Sequence, residues 1–239
     1  MRNAHAVADV RTAEQALLAR LPDGALMSRA AAGLASVCAR LLGSVYGARV
    51  VILAGSGDNG GDALFAGARL AARGAAVTAI AAASRLHEGG AAALRAAGGT
   101  VRPAEADADQ ADLDAADLIM DGLLGIGGRG GLREPAATLA ARTARARAEG
   151  AAVVAVDLPS GVDAGTGEVA GAAIAADVTV TFGTFKPGLL IDPGASRAGA
   201  VELIDIGLAG LPAPAVAALQ SADIAALLPR PGAESDKYR

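Results

Sequence analysis

The chain has 239 residues, 53% of them hydrophobic and 19% charged, which gives enough apolar sequence for one substantial core and too little charge for a disordered chain. Its formal net charge of −4 at pH 7 and its lack of a basic run argue against nucleic-acid binding. No run of about 18 strongly apolar residues predicts a membrane helix, and Asp9, Arg11 and Glu14 fall where a signal peptide would be apolar, so we expect a cytoplasmic protein.

The first forty residues predict two helices. Asp9 is a candidate N-cap for the first, VRTAEQALLARL, and a Pro-Asp-Gly turn at residues 22–24 ends it. The segment LMSRAAAGLASVCARLLGS follows with the apolar spacing of a second helix. Cys38 on that helix is predicted to be a buried apolar residue rather than a redox or nucleophilic group. Together these helices form an N-terminal helical extension.

Beyond residue 48, short β-branched runs alternate with helical patterns. Strands, several running into a loop, are predicted at residues 49–55, 76–82, 100–102, 117–127, 151–161, 177–183 and 200–207, and helices at 62–74, 87–99 and 134–150. The acidic residues Glu105, Asp107, Asp109, Asp112 and Asp114 are interpreted as a solvated connector, and residues 207–215 as a linker or long turn. This alternation predicts an α/β fold with a mainly parallel central sheet covered on both faces.

Three polar motifs lie where predicted strands end. They are GSGDNGGD at residues 55–62, DGLLGIGGRGG at 121–131 and DLPSG at 157–161. The loops that follow parallel strands meet at one edge of the sheet, which is where such sheets bind ligands. We therefore expect these three motifs to converge on one site.

The two Gly-rich motifs are candidates for binding a pyrophosphate. Consecutive glycines let the backbone approach a ligand closely, and the amides that open the next helix attract phosphate. The first motif is neither a G-x-G-x-x-G fingerprint nor a P-loop with its lysine, so a turn with no binding role is an equal alternative for that motif taken alone.

Asn59, Asp121 and Ser160 offer an amide oxygen, a carboxylate and a hydroxyl from three different motifs. Ligands that are all oxygen suit a hard cation, and a single formal charge favours a monovalent ion over a tight divalent site. The alternative is that each residue only caps a turn or a helix. The sequence leaves both readings open.

Asp157 ends an apolar strand and is the best candidate for a general acid or base, the alternative being a turn cap before Pro159. Lys186 in FGTFKPG is a candidate for neutralising a phosphate or polarising a leaving oxygen, and an exposed lysine before a proline is the equal alternative. His5 and His87 lie outside the three motifs. Ser160 has no histidine partner that would make it a nucleophile.

Five segments in one order resemble the YjeF N-terminal domain family, the NAD(P)H-hydrate epimerases. They are TAEQALL…LMSRAAAGLA, AGSGDNGGDAL, DLIMDGLLGIGGRG, AVDLPSGVDAGTGEV and ADVTVTFGTFKPGLLIDPG, and they cover the chain from about residue 9 to residue 207. The resemblance implies a Rossmann-like three-layer α/β/α fold, a homodimer, a bound potassium ion, and a substrate that is NADH or NADPH hydrated at C6 of the nicotinamide ring.

The resemblance also implies roles for individual residues. Potassium would be held by Asn59, Asp121 and Ser160. The hydrated nucleotide would contact Asp58, Asn59, Gly60, Gly61, Asp62, Gly125, Ile126, Gly127, Gly128, Arg129, Gly130, Gly131 and Asp157.

Two residues depart from the family pattern. Asp58 replaces the first asparagine of the usual Asn-Asn-Gly-Gly-Asp, and Ala63 stands where a glycine is common. A carboxylate near phosphates would repel them unless it faces the cation or solvent.

The substrate that the resemblance implies suggests a mechanism. A hydroxyl group on the carbon beside the ring nitrogen forms a carbinolamine. When an acid protonates this hydroxyl group, it leaves as water. The iminium that forms can take water back on the other face. The hypothesis is that Asp157 is the catalytic acid and base, and that potassium and Lys186 balance the negative charge of the nucleotide.

The tail ADIAALLPRPGAESDKYR resembles the passage into an ADP- or ATP-dependent dehydratase domain of bifunctional family members. We therefore expect an epimerase domain at residues 1–220, followed at residues 221–239 by a linker or the beginning of a fused dehydratase domain.

A non-catalytic scaffold and a dehydrogenase are the two alternative functions. Some members of this fold family are dimerising scaffolds without catalytic activity, but scaffolds tend to lose the Gly and Asp residues that are present here. A nicotinamide-dependent dehydrogenase would need a G-x-G-x-x-G turn and an acidic residue at the end of the second strand, and residues 76–83 end without one.

Overall fold

A computed structural model describes residues 1–228, apart from the side chains of residues 106 and 107. The described strands are β1 (Arg2–Ala4), β2 (Arg49–Ala54), β3 (Ala76–Ala81), β4 (Thr100–Pro103), β5 (Leu118–Gly122), β6 (Ala152–Val156), β7 (Val178–Phe182), β8 (Ala200–Ile204) and β9 (Val216–Ala218). Strands β2 to β8 form one parallel sheet in the order β4-β3-β2-β5-β6-β7-β8. All seven strands predicted for the sheet are confirmed.

Helices cover both faces of this sheet. They are α1 (Val7–Leu18), α2 (Ala25–Leu42), α3 (Asp58–Ala71), α4 (Glu88–Ala96), α5 (Ala106–Asp114), α6 (Ala136–Ala148), α7 (Gly194–Ala198) and α8 (Ser221–Leu227). One core contains buried residues of α2, α3 and α4, and a second contains buried residues of α5 and α6. The three-layer α/β/α prediction is therefore confirmed.

The sequence of β2 shows why two cores form. Val50 and Ile52 belong to the core under α2, α3 and α4, whereas Val51 and Leu53 belong to the core under α5 and α6. Successive side chains of a strand point to opposite faces, so a strand covered on both faces must be apolar throughout. Burying each such side chain contributes about 1.5–3 kcal/mol.

The acidic stretch is a helix, and its interpretation as a solvated connector was wrong. Asp109 on α5 is only 2% exposed, because Arg102 of β4 donates to it at 2.5 Å and to Asp112 at 2.6 Å. A buried carboxylate needs such a partner. Pairing with an arginine from a neighbouring strand is a tertiary contact that the local charge pattern does not show.

The two ends of the described chain come together. Strand β1, which the sequence pattern did not predict, pairs antiparallel with β9. The segment 207–215 before β9 has no regular structure, as predicted.

Helix α1 begins at Val7, so Asp9 lies in its first turn and is not the predicted N-cap. Helix α8 buries no residue, and residues 229–239 of the predicted second unit lie outside the described chain.

Helix α2 is the one helix within residues 1–228 whose length and mean hydropathy of 1.3 would suit a membrane crossing. Its inner face belongs to the core that it shares with α3 and the sheet, and Cys38 on that face is fully buried as predicted. Packing inside the domain therefore accounts for the apolar character of this helix.

Candidate functional site

The candidate site is a cleft at the carboxyl ends of β2, β5 and β6. Strands β2 and β5 are neighbours, and the chain leaves them toward opposite halves of the sheet, which is the point where doubly wound sheets bind ligands. The loops after the two strands touch: a Cβ added to Gly55 would lie 1.9 Å from the carbonyl oxygen of Leu123. Only glycine permits this approach, so the Gly-rich sequence also has a structural reason.

The first Gly-rich motif opens a helix instead of forming a loop. Helix α3 begins at Asp58, four residues earlier than the start predicted at residue 62, with Gly57 as its N-cap. The amides of a first helical turn have no partner within the helix and attract anions. Asp58 lies in that turn and is exposed, so its charge is solvated and is favourable to the helix dipole. This placement explains how the departure from the family pattern is tolerated.

Asp121 and Ser160 are buried beside the cleft and bonded to each other, and neither lines its cavities. The Ser160 hydroxyl donates to Asp121 Oδ1 at 2.6 Å, and the Ser160 amide donates to Asp121 Oδ2 at 2.8 Å. Asp121 is 0% exposed. Burial raises its pKa to about 6, although the hydrogen bonds from Ser160 and Leu123 act in the opposite direction.

Asn59 completes this group from the first turn of α3. A Cβ added to Gly125 would lie 3.1 Å from its Oδ1, and its Nδ2 is buried with no hydrogen-bond partner among the described residues. No basic side chain within residues 1–228 forms an ion pair with Asp121, so hydrogen bonds alone balance its buried negative charge there. Oxygens from Asn59, Asp121 and Ser160 fit a monovalent cation. No cluster of three His, Cys, Asp or Glu side chains that could hold a metal occurs within residues 1–228.

Asp157 is the one residue other than glycine with a positive φ, 64°, in the described chain. Such a conformation costs of order 1 kcal/mol or more and is concentrated at functional sites. The Asp157 carboxylate accepts hydrogen bonds from the Thr181 hydroxyl at 3.1 Å and from the Phe182 amide at 3.3 Å, and it pairs with Lys186. Its orientation is thus determined by three partners, which are Thr181, Phe182 and Lys186.

Lys186 is buried, 1% exposed, so its interpretation as an exposed lysine was wrong. Its ammonium group donates to Asp157, to Thr181 Oγ1 at 3.0 Å and to the Phe182 carbonyl at 3.0 Å. An ammonium group has three N–H donors, and all three are used. No ammonium N–H of Lys186 is therefore left to bind a phosphate in this geometry. Lys186 contacts Asp157, which lines the cavity, and does not line the cavity itself.

A second buried carboxyl group faces the cleft. Asp62, in the second turn of α3, has its Oδ1 buried without a hydrogen-bond partner among the described residues. Burial raises the pKa of Asp62 well above its usual value, and the nearby charges of Asp157, Asp58 and Glu14 raise it further. Glu14 on α1 also has a raised pKa, first because of its burial.

These groups surround a central cavity of about 540 Å³. The predicted residues that line it are Asp58, Asn59, Asp62, Gly125, Ile126, Gly127, Gly128 and Asp157. Arg129 lines a smaller cavity of about 380 Å³ that shares Ile126, Gly127 and Gly128 with the central one. Gly60, Gly61, Gly130 and Gly131 line neither cavity: Gly60 and Gly61 are buried in α3, and Gly131 lies against Gly171.

The sequence did not predict five residues outside the three motifs that line the central cavity: Arg11, Glu14, Gln15 and Leu18 from α1, and Phe182 from the end of β7. The segment TAEQALL was part of the resemblance, and that was the available signal for Glu14. Nothing in the local sequence shows that α1 lies over the carboxyl edge of the sheet.

The two histidines lie outside the central cavity, as predicted. Nδ1 of His87 accepts a hydrogen bond from the Gly90 amide at 3.1 Å and caps α4. His5 is buried, and its Nδ1 lies 2.7 Å from the Thr184 hydroxyl. His5 thereby links the N-terminal strand to the segment that carries Lys186.

Comparison with known proteins adds an independent result. The family model described as YjeF-related protein N-terminus matches residues 23–188. The bifunctional NAD(P)H-hydrate repair enzyme Nnr of Mycobacterium leprae is 47% identical, and the alignment covers 100% of this chain and 48% of that protein. The chain therefore spans about half the length of this relative. The NAD(P)H-hydrate epimerase of Clavibacter michiganensis is 46% identical over 85% of this chain and 90% of its own length.

Among solved structures, a crystal structure of the yeast protein ynu0 superposes with a TM-score of 0.69 at 20% identity, over 77% of this chain and 82% of that one. At this identity the likeness concerns the fold. It agrees with the parallel sheet and the two helical layers described above.

Proposed function

Because this chain belongs to the YjeF-related protein N-terminus family, we propose that it interconverts the S and R epimers of NADH and NADPH hydrated at C6 of the nicotinamide ring. The observation that carries the proposal is the Asp157 carboxylate, which is oriented by Lys186 and faces the same cavity as the N-terminus of α3. An acid or base and an anion site thus share one cleft, as a hydrated dinucleotide requires.

In this proposal the first turn of α3 and the segment 125–128 bind the pyrophosphate through backbone amides. Arg11 extends from α1 to this segment, since a Cβ added to Gly127 would lie 3.3 Å from its guanidinium nitrogen. Arg129 lines the adjoining cavity. Two guanidinium groups beside the glycines would offset the negative charge of the phosphates.

Asn59, Asp121 and Ser160 would hold potassium. A cation bound there would supply positive charge that compensates the buried Asp121 carboxylate and attracts the nucleotide. The support is the donor set of three oxygens and the complete burial of Asp121 without a basic partner.

Asp157 would exchange protons with the C6 hydroxyl or with the water that replaces it. Lys186 would not contact the nucleotide. Its role would be to pair with the Asp157 carboxylate and to hold it in position at the cavity, with Thr181 and Phe182 as further hydrogen-bond donors.

The test is to follow the S-to-R ratio of purified NADPH hydrate by chromatography, with and without the protein, in potassium and in potassium-free buffer. We expect the protein to bring either pure epimer to the equilibrium mixture far faster than the spontaneous reaction, and potassium to increase the rate. A rate equal to the spontaneous one would contradict the proposal and favour a nucleotide-binding or dimerising scaffold.

We also propose, from the resemblance and the names of the relatives, that the native protein is a cytoplasmic homodimer with a fused dehydratase domain. The support for the fusion is the bifunctional mycobacterial relative, about twice as long as this chain. Sedimentation of the native protein and its mass would test assembly and fusion directly.

A further inference from the structure

Asp62, for which the resemblance implied a contact with the nucleotide, lies between two cavities. Its side chain lines both the central cavity and an adjoining apolar cavity of about 560 Å³. Its Oδ1 is buried, with no hydrogen-bond donor within reach in residues 1–228. A carboxylate is an acceptor only, so a buried oxygen without a donor is expensive when the group is ionised.

The charges around Asp62 make ionisation still less favourable. Glu14 faces it from α1, Asp58 from its own helix and Asp157 from the end of β6. Lys186 is the cation that acts on it most, but its three donors are used by Asp157, Thr181 and Phe182. Asp157 is therefore the carboxyl group with a cation bonded to it, whereas Asp62 has no such partner and is the group whose surroundings favour the neutral acid. A neutral carboxyl group carries an O–H that can be donated.

We propose that Asp62 is the proton donor to the leaving C6 hydroxyl, and that Asp157 is the base that accepts a proton from the entering water. The inference rests on the proposed function and divides between two side chains the roles first given to Asp157 alone. The two groups come from separate elements, the second turn of α3 and the loop after β6, and line one cavity.

The step balances as follows. The Asp62 proton goes to the C6 hydroxyl oxygen, the C6–O bond breaks with its electron pair on that oxygen, and water leaves. The lone pair of the ring nitrogen forms the double bond to C6. A second water then bonds to C6 from the other face, the double-bond electrons return to nitrogen, and the surplus proton of this water goes to Asp157. Solvent in the open cleft exchanges protons with both carboxyl groups and restores the starting form.

The test compares Asp62→Asn with the parent protein under saturating hydrate. The amide keeps the size of the side chain but is not an acid, so we expect kcat to fall by about 100-fold or more, the range in which general acid catalysis contributes. KM should change less than about 3-fold, because binding and proton donation are separate in this proposal. Asp23→Asn, an exposed residue in the turn before α2, is the matched control and should keep full activity.

The pH profile supplies a second readout that needs no variant. If neutral Asp62 is the reactive form, kcat of the parent protein falls as pH rises through the pKa of Asp62, and Asp62→Asn lacks this alkaline decrease. The groups facing Asp62, namely Glu14, Asp58, Asp157 and Lys186, remain in both proteins.

An unchanged kcat in Asp62→Asn, or an alkaline decrease that persists in it, would overturn the role of Asp62 while leaving the epimerase proposal intact. A flat profile in the parent protein would do the same. A parent protein with no activity at all would instead overturn the proposed function.

Discussion

Replacing Asp157 by asparagine removes the negative charge that Lys186 contacts and leaves the shape of the side chain almost unchanged. Asparagine also tolerates a positive φ, so the backbone conformation at 64° adds little to the effect. Asp157 is 8% exposed and Lys186 is 1% exposed, so solvent screens the pair weakly. Leaving one partner of such a pair buried and uncompensated costs about 3–5 kcal/mol.

For a domain of this size, each kcal/mol lowers the melting temperature by about 2–4 °C. We therefore expect Asp157→Asn to melt roughly 6–20 °C below the parent protein. The same variant should lose epimerase activity by about 100-fold or more, because it has lost its acid or base.

The double variant Asp157→Asn, Lys186→Met separates the two effects. Removing the unpaired ammonium should recover most of the lost stability, because an apolar side chain in that position needs no partner. Activity should stay as low as in the single variant. Thermal unfolding by circular dichroism and the S-to-R assay measure the two quantities on the same samples. Unaltered stability in the single variant, or recovered activity in the double variant, would refute the reasoning.

Three further predictions follow from buried groups. Gly55→Ala should lower the free energy of unfolding by about 3 kcal/mol or more in denaturant unfolding, because the added Cβ would overlap the Leu123 carbonyl. The control is Gly57→Ala, whose Cβ would meet nothing within 4 Å and should change stability little. Equal effects of the two substitutions would contradict this account. The Cys38 thiol, whose pKa burial raises to about 12, should resist alkylation at pH 8 until the protein unfolds, and rapid labelling of the native protein would show that it is accessible. Burial raises the pKa of Asp121 from its usual 3.8 to about 6, so the native state binds the extra proton and stability falls as pH rises from about 4 to 6. In potassium-free buffer, parent protein and Asp121→Asn should differ in this pH dependence by about 3 kcal/mol, and parallel curves would contradict the shift.

The strands and their order along the chain were predictable, because a parallel strand buried on both faces must be apolar throughout, as the segment from Arg49 to Ala54 is. The convergence of the three motifs was predictable for a related reason: loops after parallel strands share one edge of the sheet. Ser160 bonds to Asp121 across two of these loops, and the Asn59 side chain lies against Gly125 of one of them.

What the local pattern could not show were contacts between distant segments. In the acidic stretch before β5, Asp109 is buried because Arg102 pairs with it, and Lys186 is buried because Asp157 and Thr181 accept hydrogen bonds from its ammonium group. A charged residue without a partner is ordinarily exposed, because burying its charge costs free energy. In both cases a partner from a distant segment offsets that cost.

The sequence by itself therefore determined the architecture and the edge of the sheet where the chemistry lies, since both depend on periodicity and on the residues at strand ends. The tertiary structure decided which carboxyl groups have a bonded cation. Asp157 pairs with Lys186, whereas the buried oxygen of Asp62 has no hydrogen-bond partner within residues 1–228, and burial and three nearby carboxyl groups raise the pKa of Asp62. The protonation of a carboxyl group depends on burial and on the charges within a few ångströms, and these distances exist only once α1, α3, β6 and β7 have packed together.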